Sequence, residues 1–200
     1  MITKMIKCVG FTLVLLFALV SIVMRVSWLC ENGKDVTTTL TETSPEAPLI
    51  LEPLPEIYYD CPLDADLQDY IRDICERNDV PMSLVLALIS VESTFRPGVI
   101  SKTNDYGLMQ INVINHEWLM EEHGITDFLD PYQNVYGGVV ILSGHLAKYG
   151  DEHKALMAYR HGTTGAKRLW NEGVYATEYT NRILDIKEKY DNEIKQSHWQ

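Results

Sequence analysis

Glu92 is the side chain of this sequence best placed to move a proton. It closes a run of apolar residues: Leu84, Val85, Leu86, Ala87, Leu88, Ile89 and Val91. Apolar surroundings disfavour an ionised carboxylate, and the negative end of a helix dipole does the same. Both effects raise its pKa, which is what a general acid working near neutral pH requires. The plainer alternative is a helix-end glutamate turned to solvent, where most glutamates are found. The stretch Asp105-Tyr106-Gly107-Leu108-Met109-Gln110-Ile111-Asn112 argues for chemistry. Gly107 is suited to bring backbone close to a ligand. Gln110 and Asn112 are suited to hydrogen-bond amides and hydroxyls. Asp105 offers a second carboxylate close by.

These residues need elements to carry them. Leu67, Tyr70, Ile71, Ile74 and Cys75 recur at helical spacing, predicting a helix over 63–77 with Asp64 and Asp66 at its start. The run ending at Glu92 is apolar on every face, so it reads as a buried helix. Pro81 and Ser83 mark its start, and Pro97 and Gly98 stop it. Residues 94–111 read as a long irregular segment, broken by Pro97, Gly98, Asn104 and Gly107; such a loop in a compact domain is usually functional. Asn115 to His123 reads as a helix capped by Asn115 and stopped at Gly124. Pro131 opens a longer helix to Tyr149, closed by Gly150. Gly137-Gly138 inside it points to close approach of another helix, or to a kink. Helices at 153–160, 165–171 and 177–193 complete the reading. Strand alternation is nearly absent, so the expected class is all-α.

At Glu92-Ser93, Ser101 and Gly107-Leu108-Met109-Gln110 the sequence resembles the catalytic core of the lytic transglycosylases, relatives of goose-type lysozyme that cleave the peptidoglycan glycan strand. Asp130-Pro131 with Asn134 and Gly138 resembles that family's Asp-Pro-x-x-Asn-x-x-x-Gly helix start. Ala158-Tyr159-Arg160-His161-Gly162 resembles its Ala-Tyr-Asn-x-Gly segment. Tyr179, followed by Arg182-Ile183-Leu184, resembles its tyrosine-bearing last helix. The resemblance spans roughly residues 63–190 and implies the lysozyme-like fold.

It also implies a mechanism with one carboxylate. Glu92 protonates the glycosidic oxygen between N-acetylmuramic acid and N-acetylglucosamine. It then takes the proton of the muramyl 6-hydroxyl, which attacks the anomeric carbon and leaves a 1,6-anhydromuramyl end. High effective molarity of the internal hydroxyl compensates for the missing second carboxylate. By the same resemblance Ser101 and Gln110 line the sugar site, Met109 packs beside the sugar, and Tyr159 and Tyr179 wall the cleft and orient Glu92. Either tyrosine could instead be a core aromatic. Ser93 is a further substrate contact, or a helix-end hydroxyl bonded to its own backbone.

Two positions depart from the family pattern. Arg160 stands in place of the usual asparagine; a guanidinium cannot accept a hydrogen bond, but it can pair with a peptide-stem or lactyl carboxylate. Asn104-Asp105 stands in place of Gly-Ala. Asp105 could therefore act with Glu92 in a hydrolytic muramidase, since glycoside hydrolysis usually uses two carboxylates roughly 5 to 9 Å apart. A non-catalytic glycan-binding module is the remaining alternative.

Composition sets the outer bounds. Net charge is −11 over 200 residues. Residues 57–200 hold 13 Lys/Arg against 22 Asp/Glu. An acidic domain of this kind argues against nucleic acid as a partner, because phosphate binding needs clustered cations. Lys4 and Lys7 precede an apolar stretch from Val9 to Met24, with Arg25 and Trp28 behind it. No small-residue cleavage site follows. Residues 1–30 therefore read as an uncleaved signal anchor, a single membrane helix that places the domain on the extracytoplasmic, cell-wall side. Residues 31–56, rich in Thr, Pro and Glu, read as a linker, and residues 57–200 as the catalytic domain. Cys8, Cys30, Cys61 and Cys75 fit no named disulfide framework. The histidines lack zinc spacing, so no metal is expected, and no cofactor is implied.

Overall fold

The computed structural model describes residues 58–197. The expected anchor and linker lie outside those residues, as do Cys8 and Cys30. Six helices and one short ribbon make up the described part. Helix α1 spans Ala65–Arg77 and α2 spans Met82–Glu92. Strands β1, Asp105–Tyr106, and β2, Ile111–Asn112, pair antiparallel, with Asp105 opposite Asn112. A single 3-10 turn, Val113–Asn115, leads into α3, His116–His123. Then come α4, Pro131–Tyr149, α5, Glu152–Asn171, and α6, Glu178–Ser197.

Helix α2 is the axis of the core. Leu84 to Ile89 are each fully buried, on every face of the helix. Each large side chain there contributes about 1.5 to 3 kcal/mol by leaving water. The surrounding surface comes from α1 and α6, so the glutamate at the end of α2 arrives among buried elements. After Ser93 the chain leaves the helix through Thr94 and Phe95, both left-handed, with φ of 54° and 59°. For a β-branched residue that conformation costs on the order of 1 kcal/mol or more. The strained corner begins two residues after Glu92.

The ribbon corrects the all-α expectation. Residues 94–111 are not simply irregular. Asn104, Gly107 and Gln110 take φ of 60°, 75° and 48°, folding the chain into the β1–β2 pair, and Ile100 bridges to Tyr106. Two-residue strands leave no alternation to read, so periodicity could not find them. Two further expectations are corrected. Asn115 makes no side-chain cap on α3; it is Asn112 whose Oδ1 accepts from the Ile114 N–H and caps the turn before it. The two short helices expected within 153–171 are one helix, α5, broken in its backbone at Gly162, with φ 66° and ψ 163°. That conformation is open essentially to glycine alone.

The glycine pair of α4 marks close approach, from Met109 and Ile125, from Ile111 of β2 and from Leu119 of helix α3. A Cβ on Gly138 would stand 2.3 Å from the Met109 sulfur, and one on Gly137 would stand 2.7 Å from Ile125 Cδ1. Cys61 and Cys75 are free thiols. Burial pushes the Cys75 thiol up to about 12. Among the described residues no helix is long and apolar enough to cross a membrane, and no cluster of three or more His, Cys, Asp or Glu could hold a metal.

Candidate active site

A cleft of about 590 Å³ opens between the ribbon, α4 and α5, and Glu92 lies in its wall with Asp105, Gln110, Asn112, Tyr159 and Arg160. The Glu92 side chain is only 6% exposed. Two groups touch its carboxylate. The Tyr179 hydroxyl of α6 donates to Oε1 at 2.5 Å. Arg160 of α5 reaches Oε2 at 3.5 Å. Burial raises the pKa of Glu92, while Tyr179 and then Arg160 lower it and nearby Asp105 raises it; the net direction is upward. Desolvation thus outweighs pairing at this carboxylate.

Asp105 has the opposite balance. Burial raises its pKa, but donors from Ser101, Thr103 and Asn112, at 2.6, 2.5 and 2.7 Å, lower it by more. The Arg160 charge adds to the lowering. One cleft therefore holds a carboxylate biased toward its acid form and another biased toward its anion.

The loop that carries Gln110 is gripped from two sides. Buried Asn134 of α4 accepts from the Met109 N–H at 2.8 Å and donates to the carbonyls of Tyr106 and Phe128, both at 2.8 Å. The Tyr159 hydroxyl donates to the Met109 carbonyl at 2.8 Å. Gly107 makes this possible, because a Cβ there would stand 2.3 Å from Asn134 Nδ2. Gln110 then lines the cleft, its amide nitrogen donating to the Val99 and Gly107 carbonyls.

Several expected substrate contacts are placed elsewhere. Met109 is fully buried against Gly138, and Gly107 is buried against Asn134 and the Phe128 carbonyl, so the close approach it permits is to the protein's own chain. Ser93 is 1% exposed and its hydroxyl donates to the Ile89 carbonyl, the helix-end alternative. The Ser101 hydroxyl is engaged by Asp105. Tyr159 is a pillar under the loop as well as a cleft wall. Tyr179 bonds Glu92 and lines, with Glu92 and Arg160, a second opening of about 340 Å³. Arg160 pairs with Glu92, a contact that a separation of 68 positions hid from sequence reading. Thr103, Ile114 and His145 also line the cleft and were not singled out in the sequence; none belongs to a motif.

The geometry defines an open cleft beside one nearly buried carboxylate with a raised pKa, in a mostly helical domain. Comparison with known proteins agrees. The family model described as the transglycosylase SLT domain matches residues 69–183, and the chain belongs to that family. It is 35% identical over 101 residues to a transglycosylase of Enterobacteria phage PRD1, covering half of this chain and 35% of that protein. It is 31% identical over 117 residues to protein IpgF of Shigella flexneri, covering 56% of this chain and 76% of that protein. The fold matches the lytic transglycosylase Slt of Pseudomonas aeruginosa, solved as an inactive mutant, with a TM-score of 0.56 at 18% identity over 64% of this chain. The chain spans about a third of the phage protein's length and 24% of the Slt chain. Its fold is the mostly helical, lysozyme-like fold of a lytic transglycosylase domain.

Proposed function

We propose that this protein is a peptidoglycan lytic transglycosylase in which Glu92 alone serves as general acid and then general base. The observation that carries the reading is the setting of Glu92: it is nearly buried, raised toward its acid form, and open to the cleft. A carboxylic acid so placed protonates the glycosidic oxygen between N-acetylmuramic acid and N-acetylglucosamine as the C–O bond breaks. The carboxylate left behind takes the proton of the muramyl 6-hydroxyl as that oxygen bonds to the anomeric carbon. Bonds and protons balance without water, and the product is a 1,6-anhydromuramyl end. Gln110, Tyr159 and Arg160 are the cleft residues that would meet the sugar. Tyr179 would position Glu92. Peptidoglycan strands are the substrate on this reading. Mass spectrometry of the released muropeptides tests it, with anhydromuramyl ends as the expected result and reducing muramyl ends as the contrary one.

A second reading has an observation of its own. Asp105 lines the same cleft, with three donors favouring its anion. Two carboxylates with pKa values driven apart are the usual acid and base of glycoside hydrolysis. A hydrolytic muramidase using Glu92 with Asp105 would release reducing ends.

The apolar run Val9–Met24 after Lys4 and Lys7 supports membrane attachment through residues 1–30, with the domain on the cell-wall side.

A further inference from the structure

Arg160 holds two contacts loosely. Its Nη1 lies 3.5 Å from Glu92 Oε2, longer than the roughly 2.7 to 2.9 Å of a tight charge-assisted bond. Its guanidinium sits over the Tyr179 ring, 5.2 Å from the centroid. Among the described residues Glu92 is its one hydrogen-bonding partner. A guanidinium has five N–H donors, so most of its capacity is uncommitted. The side chain is 51% exposed, against 6% for Glu92. Both residues border the main cleft, and both border the second opening, where Arg182 and Glu178 also stand. The cation is thus the solvent-facing, weakly held half of the pair, within reach of groups arriving from either side.

Resting on the transglycosylase reading, we infer that Arg160 is a counter-ion exchanged on substrate binding: a carboxylate of the glycan's peptide stem draws the guanidinium off Glu92, and Glu92 takes up a proton. The proton comes from solvent and forms the Oε–H that the first step then donates; no bond of the substrate changes. The groups facing Glu92 set the balance. Tyr179 from α6 and Arg160 from α5 favour its anion, and burial and Asp105 from β1 oppose it. Tyr159 of α5 faces the same charge. With Arg160 moved, one of the two supports of the anion is gone and the acid form gains. The catalytic acid is then loaded by peptide-bearing glycan in preference to neutral glycan, which makes Arg160 a residue of specificity.

Calorimetric titration of the full chain in two buffers of different ionisation heat counts the protons taken up. The ligand is a disaccharide with peptide-bearing muramic acid at its reducing end, which lacks the scissile bond. The control is the same molecule with its stem carboxylates amidated. Wild type is expected to bind the acidic ligand about tenfold more tightly, the equivalent of one charge-assisted hydrogen bond, and to take up protons with it alone. Arg160→Ala brings affinity for the acidic ligand down toward that of the control and removes the extra uptake. Arg160→Lys, keeping the charge, restores part of the preference. Glu92→Gln binds the acidic ligand without uptake. Equal wild-type affinity for the two ligands, or uptake in Arg160→Ala equal to wild type, overturns the exchange. Binding of neither ligand overturns the glycan reading, and the exchange with it.

Discussion

The Tyr179 hydroxyl donates to Glu92 at 2.5 Å from 87 positions further along the chain. The bond works against the desolvation that raises the Glu92 pKa. In return, burial and the Glu92 charge push the Tyr179 hydroxyl well above the usual tyrosine range, so it stays a donor. Tyr179→Phe deletes a support of the anion. The Glu92 pKa should climb further, and the alkaline limb of the pH–rate profile should move to higher pH. A fall of about tenfold in kcat should accompany it, from lost positioning. An unmoved alkaline limb would show that the bond has no influence on the proton.

Glu92→Gln keeps the shape and cannot cycle a proton. The expected loss in kcat is roughly two orders of magnitude or more. Stability should go the other way. A carboxyl with a raised folded-state pKa stabilises most fully below its unfolded pKa, and that contribution is lost as pH rises through the folded value. The glutamine variant should therefore melt above wild type near neutral pH. The gap should close as pH falls below about 4, where Glu92 becomes protonated in both states. Thermal unfolding across that range measures it; a variant that melts below wild type at neutral pH contradicts the desolvation argument.

Asp105→Asn separates the two mechanisms. With Glu92 acting alone, the variant should lose far less activity than Glu92→Gln and still release anhydromuramyl ends. In wild type the folded-state pKa of Asp105 is lowered, so the stability it contributes is present above the unfolded pKa and lost as pH falls through the folded value. The asparagine variant should be less stable at neutral pH by on the order of 1 kcal/mol, after discount for partial exposure. The deficit should shrink in acid. Inactivity as deep as that of Glu92→Gln would move the assignment to the muramidase.

Asn134→Ala tests the grip on the loop. It strips partners from the Met109 N–H and from the Tyr106 and Phe128 carbonyls. Leaving buried backbone groups unpaired should cost about 3 kcal/mol or more in denaturant unfolding. Gly107→Ala should do comparable damage, since its Cβ would meet Asn134 at 2.3 Å and its φ is +75°. Native stability in both variants would mean that the loop holds itself.

Membrane attachment is checked by fractionation. The full-length protein should stay with the membrane, with its domain cut by protease added outside wall-less cells. A soluble mature form beginning after residue 24 would end the signal-anchor reading.

The sequence by itself determined much of the frame. Helical spacing and caps located α1, α2 and α4 closely, because an all-apolar run and a Pro-to-Gly span are local signals. The order of motifs pointed to Glu92 and to the family. Tertiary structure decided who touches whom. Met109, Gly107 and Ser93 sit in the right motif and yet face the core, because a motif residue can serve by holding the loop as well as by meeting the ligand. Asn134 was visible as part of a helix start, but its three bonds to the loop were not. Arg160 was legible only as an oddity; that it would meet Glu92 depended on how α5 packs near the end of α2, 68 positions away in sequence. The proton balance at Glu92 likewise comes from desolvation, a hydroxyl of α6 and a cation of α5 acting together. Local pattern reports backbone preference over a few residues, whereas a pKa depends on every charge and dipole that folding brings within a few ångströms.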